Sequence, residues 1–228
     1  MWISVVIPAL NEEEPIAQVV REVVATKIPR EIIVVDNGST DQTAERARNA
    51  GARVISAVRG YGRACAAGVA AVSGECDLIV FLDGDGSDVP EFMPALAEPI
   101  INGTHDFVIG SRTRGKREPG SMNAQQVFAG YLAGFLIRAL YGVRYSDMSP
   151  FRAIRRNALE KLAMREETYG WNLEMQMKAA RAGLRILEIP VDHRCRTGGV
   201  SKVSGTLRGT LVASFRILAT FLKIAFGG

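Results

Sequence analysis

The chain has 228 residues, 47% of them hydrophobic and 23% charged, with a formal net charge of +4. This length fits one domain with an ordinary buried core, and the composition excludes a largely disordered chain. The three cysteines are odd in number and lack CxxC spacing, which argues against a disulfide framework or a zinc site. We expect Cys65 and Cys76 to be small core residues.

The positive charge is concentrated at the C-terminus. From Arg194 to the end there are six basic residues and no acidic one. A nucleic-acid-binding domain more often spreads its basic residues over a face of the core, so no nucleic-acid partner is predicted. A basic tail that is also apolar favours a membrane surface as partner. The first residues form a strand pattern with no basic region ahead of it, so we expect no secretory signal and a cytoplasmic location.

Apolar, β-branched runs alternate with helix-like stretches along the first half of the chain. Strands are predicted near 3–8, 31–36, 53–57, 77–82 and 106–110, with helices near 13–26, 41–50, 62–73 and 90–102 between them. The runs at 32–35 and 78–82 are continuously apolar, which is typical of a parallel sheet covered on both faces. These repeated units predict an α/β fold with a doubly wound, mostly parallel sheet.

The second half of the chain is less regular. A helix is predicted near 122–141, and its longest uncharged apolar stretch, 127–137, is too short to cross a bilayer. Further predictions are a short helix after Asn157, a helix over 171–181, a strand over 184–191 and a mobile, glycine-containing loop over 194–204. Trp171 and Met175 lie four residues apart and are expected in the core, whereas Glu174 either packs beside them or faces a pocket.

Small, acidic or amide residues follow five consecutive predicted strands. These runs are Pro8-Ala9-Leu10-Asn11-Glu12, Asp36-Asn37-Gly38-Ser39-Thr40-Asp41, Gly60-Tyr61-Gly62-Arg63, Asp83-Gly84-Asp85-Gly86 and Gly110-Ser111-Arg112. Ligands of open α/β sheets bind outside the carboxyl ends of the strands, so the runs predict one ligand site. Within them, Ser39-Thr40-Asp41 is better explained as a helix cap. Gly60 and Gly62 do not complete a dinucleotide fingerprint, because Cys65 occupies the third glycine position, and they favour a turn that approaches a nucleotide closely.

The Asp83-Gly84-Asp85 run is the strongest local signal for chemistry. Two carboxylates separated by one glycine at the end of a buried strand can converge on one divalent ion. Mg²⁺ or Mn²⁺ takes one or two carboxylates together with phosphate oxygens. Such an ion would neutralise a leaving nucleoside diphosphate. The alternative is an acidic turn, but the position after the fourth strand favours the metal.

Together these runs resemble the family 2 glycosyltransferases with the GT-A fold. The resemblance rests on residues 6–13, 34–41, 60–62 and 82–85. Later segments are similar to one branch of that family, the dolichol-phosphate mannose synthases and bacterial polyprenyl-phosphate glycosyltransferases. Those segments are 110–112, 147–152 and Arg196 with 199–202. The resemblance implies a nucleotide-sugar donor and, more specifically, a lipid-phosphate acceptor.

The resemblance also implies roles for individual residues. The donor pocket would be lined by Pro8, Ala9, Asn11, Glu12, Asp36, Gly60, Gly62, Asp83 and Gly84, with Arg196, Ser201 and Lys202 on a loop that closes over it. Asp83 and Asp85 match the metal-binding pair, and Arg112 matches an arginine near the phosphates. Two departures stand out. Ser87 replaces a glutamine that assists the metal in many synthases, and Pro150 replaces a glycine.

The acceptor side is predicted from a basic cluster and one acid. The cluster consists of Arg112, Arg114, Lys116 and Arg117, whose guanidinium groups would attract an acceptor phosphate, although Lys116 and Arg117 are equally typical of a solvated loop. Asp147 is either a general base or a positioning residue, since an acceptor phosphate is already ionised near neutral pH. His105 and His193 have no metal-ligand spacing and are expected to be incidental.

Residues 206–226 are predicted to form an amphipathic helix. Its apolar arc contains Leu207, Leu211, Phe215, Leu218, Phe221 and Leu222, and the neighbouring arc contains Arg208, Arg216 and Lys223. This pattern fits a helix lying in the bilayer interface, with a helix docked on the core or on a second subunit as the alternative. The cations within the stretch argue against a transmembrane helix.

We therefore predict a GT-A-like domain over 1–204 and a membrane-interface or docking helix over 205–228. The predicted enzyme moves a sugar from a UDP- or GDP-sugar to a polyprenyl or dolichyl phosphate at the cytoplasmic membrane face, with the inversion implied by the family. One alternative is a soluble or saccharide acceptor, which would require Asp147 as a true base. The other is a catalytically silent nucleotide-binding subunit of a membrane-spanning partner, against which the Asp83 and Asp85 pair argues.

Overall fold

A seven-stranded sheet organises the computed structural model, which describes residues 1–197 and 219–225. The strands are β1 (Ile3–Ala9), β2 (Glu31–Asp36), β3 (Arg53–Ser56), β4 (Leu78–Phe81), β5 (Phe107–Ser111), β6 (Arg152–Arg155) and β7 (Ile186–Pro190). The helices are α1 (Ile16–Ala25), α2 (Thr43–Asn49), α3 (Tyr61–Ala71), α4 (Met93–Ile101), α5 (Ala124–Tyr141), α6 (Arg156–Leu162), α7 (Trp171–Arg181) and α8 (219–225). A 3₁₀ turn, Pro90–Phe92, leads into α4.

The sheet has the order β3-β2-β1-β4-β6-β5-β7. Every neighbouring pair is parallel except those of β6, which runs antiparallel to β4 and β5. The α/β fold with a mostly parallel sheet is therefore confirmed. Strand β6 was not predicted, because its sequence places an arginine at each end of a short apolar pair. Arg152 is nevertheless fully buried, and its guanidinium donates to the carbonyl oxygens of Ser149 and Asn172.

Both faces of the sheet are covered by helices, as the continuous apolar runs predict. Val6 of β1 points into a core shared with α3, α5, α6 and α7. Val5 and Ile7 point to the opposite core, which includes α1 and α4. Cys65 and Cys76 are buried in the first core, as expected. This sandwich leaves the carboxyl ends of the parallel strands free to form a ligand site.

Helix α8 docks on the domain in the part of the tail that the structure describes. Phe221 and Ile224 are buried in the same core as α7. Thr220 Oγ1 donates to Glu166 Oε2 at 3.3 Å, and Arg181 Nη1 donates to the Ile224 carbonyl at 3.4 Å.

The remaining predictions for the tail are not tested by α8. Residues 206–218 and 226, including the predicted cations Arg208 and Arg216, lie outside the described residues. Leu222, which was predicted on the apolar arc with Phe221, is exposed. Within 1–197 and 219–225, no helix is long and apolar enough to cross a membrane.

Candidate active site

A cavity of about 790 Å³ opens at the carboxyl edge of the sheet. Nine of the residues predicted for the site line it: Pro8, Ala9, Glu12, Gly60, Asp83, Gly84, Asp85, Arg112 and Arg196. They come from the end of β1 and from the segments after β1, β3, β4, β5 and β7. The topological argument from strand ends thus brings together residues that lie up to 188 positions apart in the sequence.

Some predicted residues take other positions. Asn11 and Asp36 do not line the cavity but hold the loop after β2, since Asn11 Oδ1 accepts from Thr40 N at 2.8 Å and Asp36 Oδ1 accepts from Ser39 N at 3.1 Å. Ser201 and Lys202 lie outside the described residues. The prediction that they belong to a loop over the donor remains a prediction.

Asp83 and Asp85 are each held by a neighbouring donor. Tyr61 Oη donates to Asp83 Oδ1 at 2.9 Å. Ser87 donates to Asp85 Oδ1 through its backbone nitrogen at 3.0 Å and its hydroxyl at 2.6 Å. Within the described chain these hydrogen bonds engage only the Oδ1 atoms. The two carboxylates are therefore oriented by the protein through their Oδ1 atoms, and Asp85 Oδ2 lies 3.9 Å from Arg196 Nη2.

The electrostatics around these carboxylates favour a cation. Burial raises the pKa of Asp83 well above its usual range, and the charges of Asp85 and Asp88 raise it further. Burial also raises the pKa of Asp88 to about 7, although its Oδ2 accepts a hydrogen bond from Asp83 N at 3.0 Å. Three carboxyl groups close to one another in a buried setting repel, and a divalent cation would relieve that repulsion.

The donor set fits a shared Mg²⁺ or Mn²⁺ ion. Across residues 1–197 and 219–225, no three His, Cys, Asp or Glu side chains form a complete metal site. Asp83 and Asp85 would supply hard carboxylate oxygens, and diphosphate oxygens and water would complete the coordination. The metal therefore fits here as a bridge to a phosphate-bearing ligand.

Arg112 reaches the cavity with Asp147 behind it. Its Nε donates to Asp147 Oδ2 and its Nη2 to Asp147 Oδ1, both at 2.8 Å. The backbone nitrogens of Arg112 and Met148 donate to the same carboxylate at 2.9 and 2.7 Å. Burial alone would raise the pKa of Asp147, but the Arg112 charge and these hydrogen bonds lower it below its usual value.

This geometry favours a positioning role for Asp147. Its side chain is 1% exposed and does not line the cavity. A general base must accept a proton from the substrate, whereas both oxygens of this carboxylate already accept bonds from the protein. Asp147 instead occupies the Nε and Nη2 fork of Arg112 and so fixes the guanidinium at the cavity wall.

Arg196 also lines the cavity. Its Nη2 donates to Glu12 Oε1 at 2.7 Å and lies 3.9 Å from Asp85 Oδ2. Glu12 and the predicted metal ligand Asp85 therefore both lie beside the Arg196 guanidinium. A bound diphosphate would compete with these carboxylates for Arg196.

The glycines after β3 have a structural reason that the sequence did not reveal. A Cβ atom on Gly62 would overlap the Glu166 carbonyl oxygen, and one on Gly60 would meet the Glu167 carbonyl oxygen at 2.6 Å. The close approach predicted for this turn is therefore to the 166–169 segment. Because Thr168 and Tyr169 of that segment line the cavity, the packing still shapes the site.

Several cavity residues were missed or misjudged in the sequence. His193, expected to be incidental, is 4% exposed and lines the cavity, and burial together with the Arg112 charge lowers its pKa to about 4. Its imidazole is therefore neutral near pH 7. Asn37 and Tyr61 stand inside the runs that follow β2 and β3, so those runs were the available signal. The first turn of α5, with Asn123 and Gln126, gave no such signal.

Other candidates lie away from the cavity. Of the predicted basic cluster only Arg112 lines it, while Lys116 and Arg117 are exposed. Arg114 Nη1 donates to the Glu188 carbonyl at 2.8 Å. Glu174 is buried and accepts from the backbone nitrogens of residues 165 and 166, so it packs in the core and does not face the pocket.

The chain matches known proteins over most of its length. The sequence profile described as Glycosyl transferase family 2 matches residues 4–163. An uncharacterized glycosyltransferase of Mycobacterium tuberculosis is 36% identical over 214 residues, which cover 92% of this chain and 94% of the relative. A dolichyl-phosphate hexose transferase of Haloferax volcanii is 33% identical over 199 residues, which cover 86% of this chain and 84% of the relative.

A solved structure shares the architecture. Glucosyl-3-phosphoglycerate synthase from Mycobacterium tuberculosis, in complex with Mn²⁺, UDP-glucose and phosphoglyceric acid, superposes with a TM-score of 0.78 at 28% identity, covering 98% of this chain and 79% of that chain. The GT-A fold is thereby confirmed. The Mn²⁺ in that complex agrees with the divalent cofactor predicted from Asp83-Gly84-Asp85.

Proposed function

We propose that this chain, which belongs to glycosyl transferase family 2, transfers a hexose from a UDP- or GDP-sugar to a polyprenyl phosphate. The chain is an enzyme of the hexosyltransferase type. Its domain over 1–204 would carry the reaction at the cytoplasmic face of a membrane, and the segment 205–228 would dock either on the domain or on the membrane.

The observation that carries this proposal is the composition of the cavity. Asp83 and Asp85 lie in one cavity with three arginines, Arg59, Arg112 and Arg196. Paired carboxylates for a divalent ion and guanidinium groups for phosphate oxygens are what a nucleotide-sugar diphosphate requires. The metal, Mg²⁺ or Mn²⁺, supplies Lewis-acid stabilisation of the leaving diphosphate.

Different cavity residues would contact the donor and the acceptor. Pro8, Ala9 and Gly60 form the cavity wall on the donor side, where small residues let the nucleotide approach the backbone. Arg112, fixed by Asp147, would orient the acceptor phosphate. One phosphate oxygen would then attack the anomeric carbon as the bond to the diphosphate breaks, which inverts the anomeric centre.

A phosphate acceptor needs no strong base, and the buried, fully hydrogen-bonded Asp147 is consistent with that requirement. The Haloferax volcanii relative, named as a dolichyl-phosphate hexose transferase, supports the lipid part of the acceptor.

A second candidate function is transfer to a soluble phosphate-bearing acceptor. It is favoured by the solved relative, whose complex contains phosphoglyceric acid.

A two-phase transfer assay tests the proposal. The full chain is incubated with Mn²⁺, radiolabelled UDP- or GDP-hexoses and either undecaprenyl phosphate in detergent or phosphoglyceric acid. We expect label to enter the organic phase, and Arg112→Lys to lower that transfer because lysine cannot keep the two-bond pairing with Asp147 that positions the cation. Label found only in a water-soluble product with phosphoglyceric acid would replace the lipid acceptor with the soluble one.

A further inference from the structure

Helix α5 exposes an apolar face next to the cavity. Phe128 and Phe135 are each 67% exposed, and Tyr131 and Leu132 lie between them with about half of their surface in solvent. The spacing i, i+3, i+4, i+7 places all four on one side of the helix. The other side packs on the domain through Gly130, Ala133, Gly134 and Ile137. A contiguous apolar surface of this kind marks an interaction site.

The surroundings of this α5 face carry positive charge. The segment 112–144 contains six cations and one acid, Glu118, and two of the cations, Arg112 and Arg114, are paired with Asp147 and Glu188. Helix α5 itself has no Asp or Glu, Arg138 is exposed on it, and the exposed Arg144 follows its end. Aromatic and aliphatic side chains bordered by arginines are the composition of a surface that binds anionic bilayers.

Helix α5 begins at the cavity. Asn123 and Gln126 in the first turn of the helix line the cavity that contains Asp83 and Asp85. At about 100° per residue, Gln126 and Phe128 point to opposite sides of the helix, so the apolar face lies on the outer side of a helix whose inner side reaches the cavity. Insertion of that outer side into a bilayer would place the start of α5, and with it the cavity, near the headgroup plane.

We propose that the α5 face, formed by Phe128, Tyr131, Leu132 and Phe135, inserts into the headgroup region of an anionic bilayer. This inference rests on the proposed lipid acceptor, because the phosphate of such an acceptor lies in the headgroup region. A second copy of the chain fits the face less well. A two-fold interface would bring the same cationic border, including Arg138 and Arg144, against itself.

Vesicle sedimentation of the full chain tests the inference. Phe128→Gln/Phe135→Gln should lower binding to phosphatidylglycerol-containing vesicles about tenfold or more, because two aromatic side chains no longer insert. The matched control Val24→Gln/Ile101→Gln removes two exposed apolar side chains from α1 and α4 and should leave binding unchanged. Both variants should keep the melting temperature of the parent, since all four side chains are largely exposed.

Arginine variants test whether positive charge beside the α5 face contributes to bilayer binding. Arg138→Gln/Arg144→Gln should weaken binding to the anionic vesicles and flatten its salt dependence, with little change on pure phosphatidylcholine. Arg30→Gln/Arg48→Gln, on exposed arginines elsewhere, is the control.

Three results would overturn the inference. The first is undiminished vesicle binding by the Phe128→Gln/Phe135→Gln variant. The second is an equal loss of vesicle binding in the Val24→Gln/Ile101→Gln control. The third is a dimeric parent that the Phe128→Gln/Phe135→Gln variant converts to a monomer without losing vesicle binding. Transfer to undecaprenyl phosphate in detergent is measured separately and needs no bilayer. If this transfer fails while vesicle binding is as expected, the proposed acceptor is rejected and the α5 inference is not. The vesicle results decide whether the α5 face binds a bilayer.

Discussion

Replacing Asp147 by Asn tests the positioning role that the structure indicates. The substitution keeps the shape of the side chain but removes the charge that faces Arg112. The Arg112 side chain is 14% exposed and that of Asp147 is 1% exposed, so the variant leaves a mostly buried guanidinium without its counterion. Breaking a buried pair in this way costs about 3–5 kcal/mol. We expect about 3 kcal/mol, because the charges of Asp83 and Asp88 still act on Arg112.

The assay is thermal unfolding across pH. For a chain of this length, a loss of about 3 kcal/mol corresponds to a melting temperature lower by roughly 10 °C. The folded pKa of Asp147 is lowered, so its contribution to stability is present above the unfolded pKa of about 4 and is lost as pH falls through the folded value. The difference between parent and variant should therefore be full near pH 7 and narrow below about pH 4.

A matched pair on the surface provides the control. Arg185 donates to both oxygens of Asp106 at 2.9 and 2.7 Å, but its side chain is 54% exposed. Asp106 is 19% exposed and its pKa is lowered to about 2 by Arg185, so Asp106→Asn should cost about 1–2 kcal/mol, less than Asp147→Asn because solvent screens the exposed arginine. In addition, Arg112→Met should partly restore the stability of Asp147→Asn, since it removes the uncompensated charge. Equal losses in Asp147→Asn and Asp106→Asn, with no rescue, would refute the reasoning.

Two further predictions concern the cavity walls. Tyr61→Phe removes the hydrogen bond to Asp83 and should weaken Mn²⁺ binding in the presence of nucleoside diphosphate about tenfold or more, whereas Tyr169→Phe should leave it unchanged in the same titration. Gly62→Ala should lower the free energy of unfolding by about 1–3 kcal/mol or more, because its Cβ would overlap the Glu166 carbonyl. Gly74→Ala has open space and should be nearly neutral in denaturant unfolding, so similar losses in both variants would contradict this account.

The fold and the clustering of the strand-end residues could be predicted because they depend on local patterns. Continuous apolar runs identify buried parallel strands, and parallel strands bring their carboxyl ends to one edge. Residues as distant as Pro8 and Arg196 therefore met in the cavity as expected. The one-residue spacing of the two carboxylates in Asp83-Gly84-Asp85 was enough to predict a divalent-metal site.

The remainder depends on contacts between distant segments, which no local pattern encodes. Strand β6 begins with Arg152, whose burial is explained by its bonds to the carbonyls of Ser149 and Asn172 and by the Phe107 ring beneath its guanidinium. The role of Asp147 follows from its pairing with Arg112, 35 positions earlier. His193 gave no spacing signal, because its neighbours in the cavity come from other strands. The exposure of the α5 face likewise depends on which side of the helix the domain covers.

The most direct test of the central claim is calorimetric titration of UDP and GDP into the full chain with and without Mn²⁺. Asp83 and Asp85 are proposed to bind the diphosphate through the metal, so affinity should fall by about a hundredfold or more when the metal is chelated. Asp85→Asn, with its melting temperature retained, should show the same loss in the presence of Mn²⁺. Tight diphosphate binding that survives both chelation and Asp85→Asn would contradict the account.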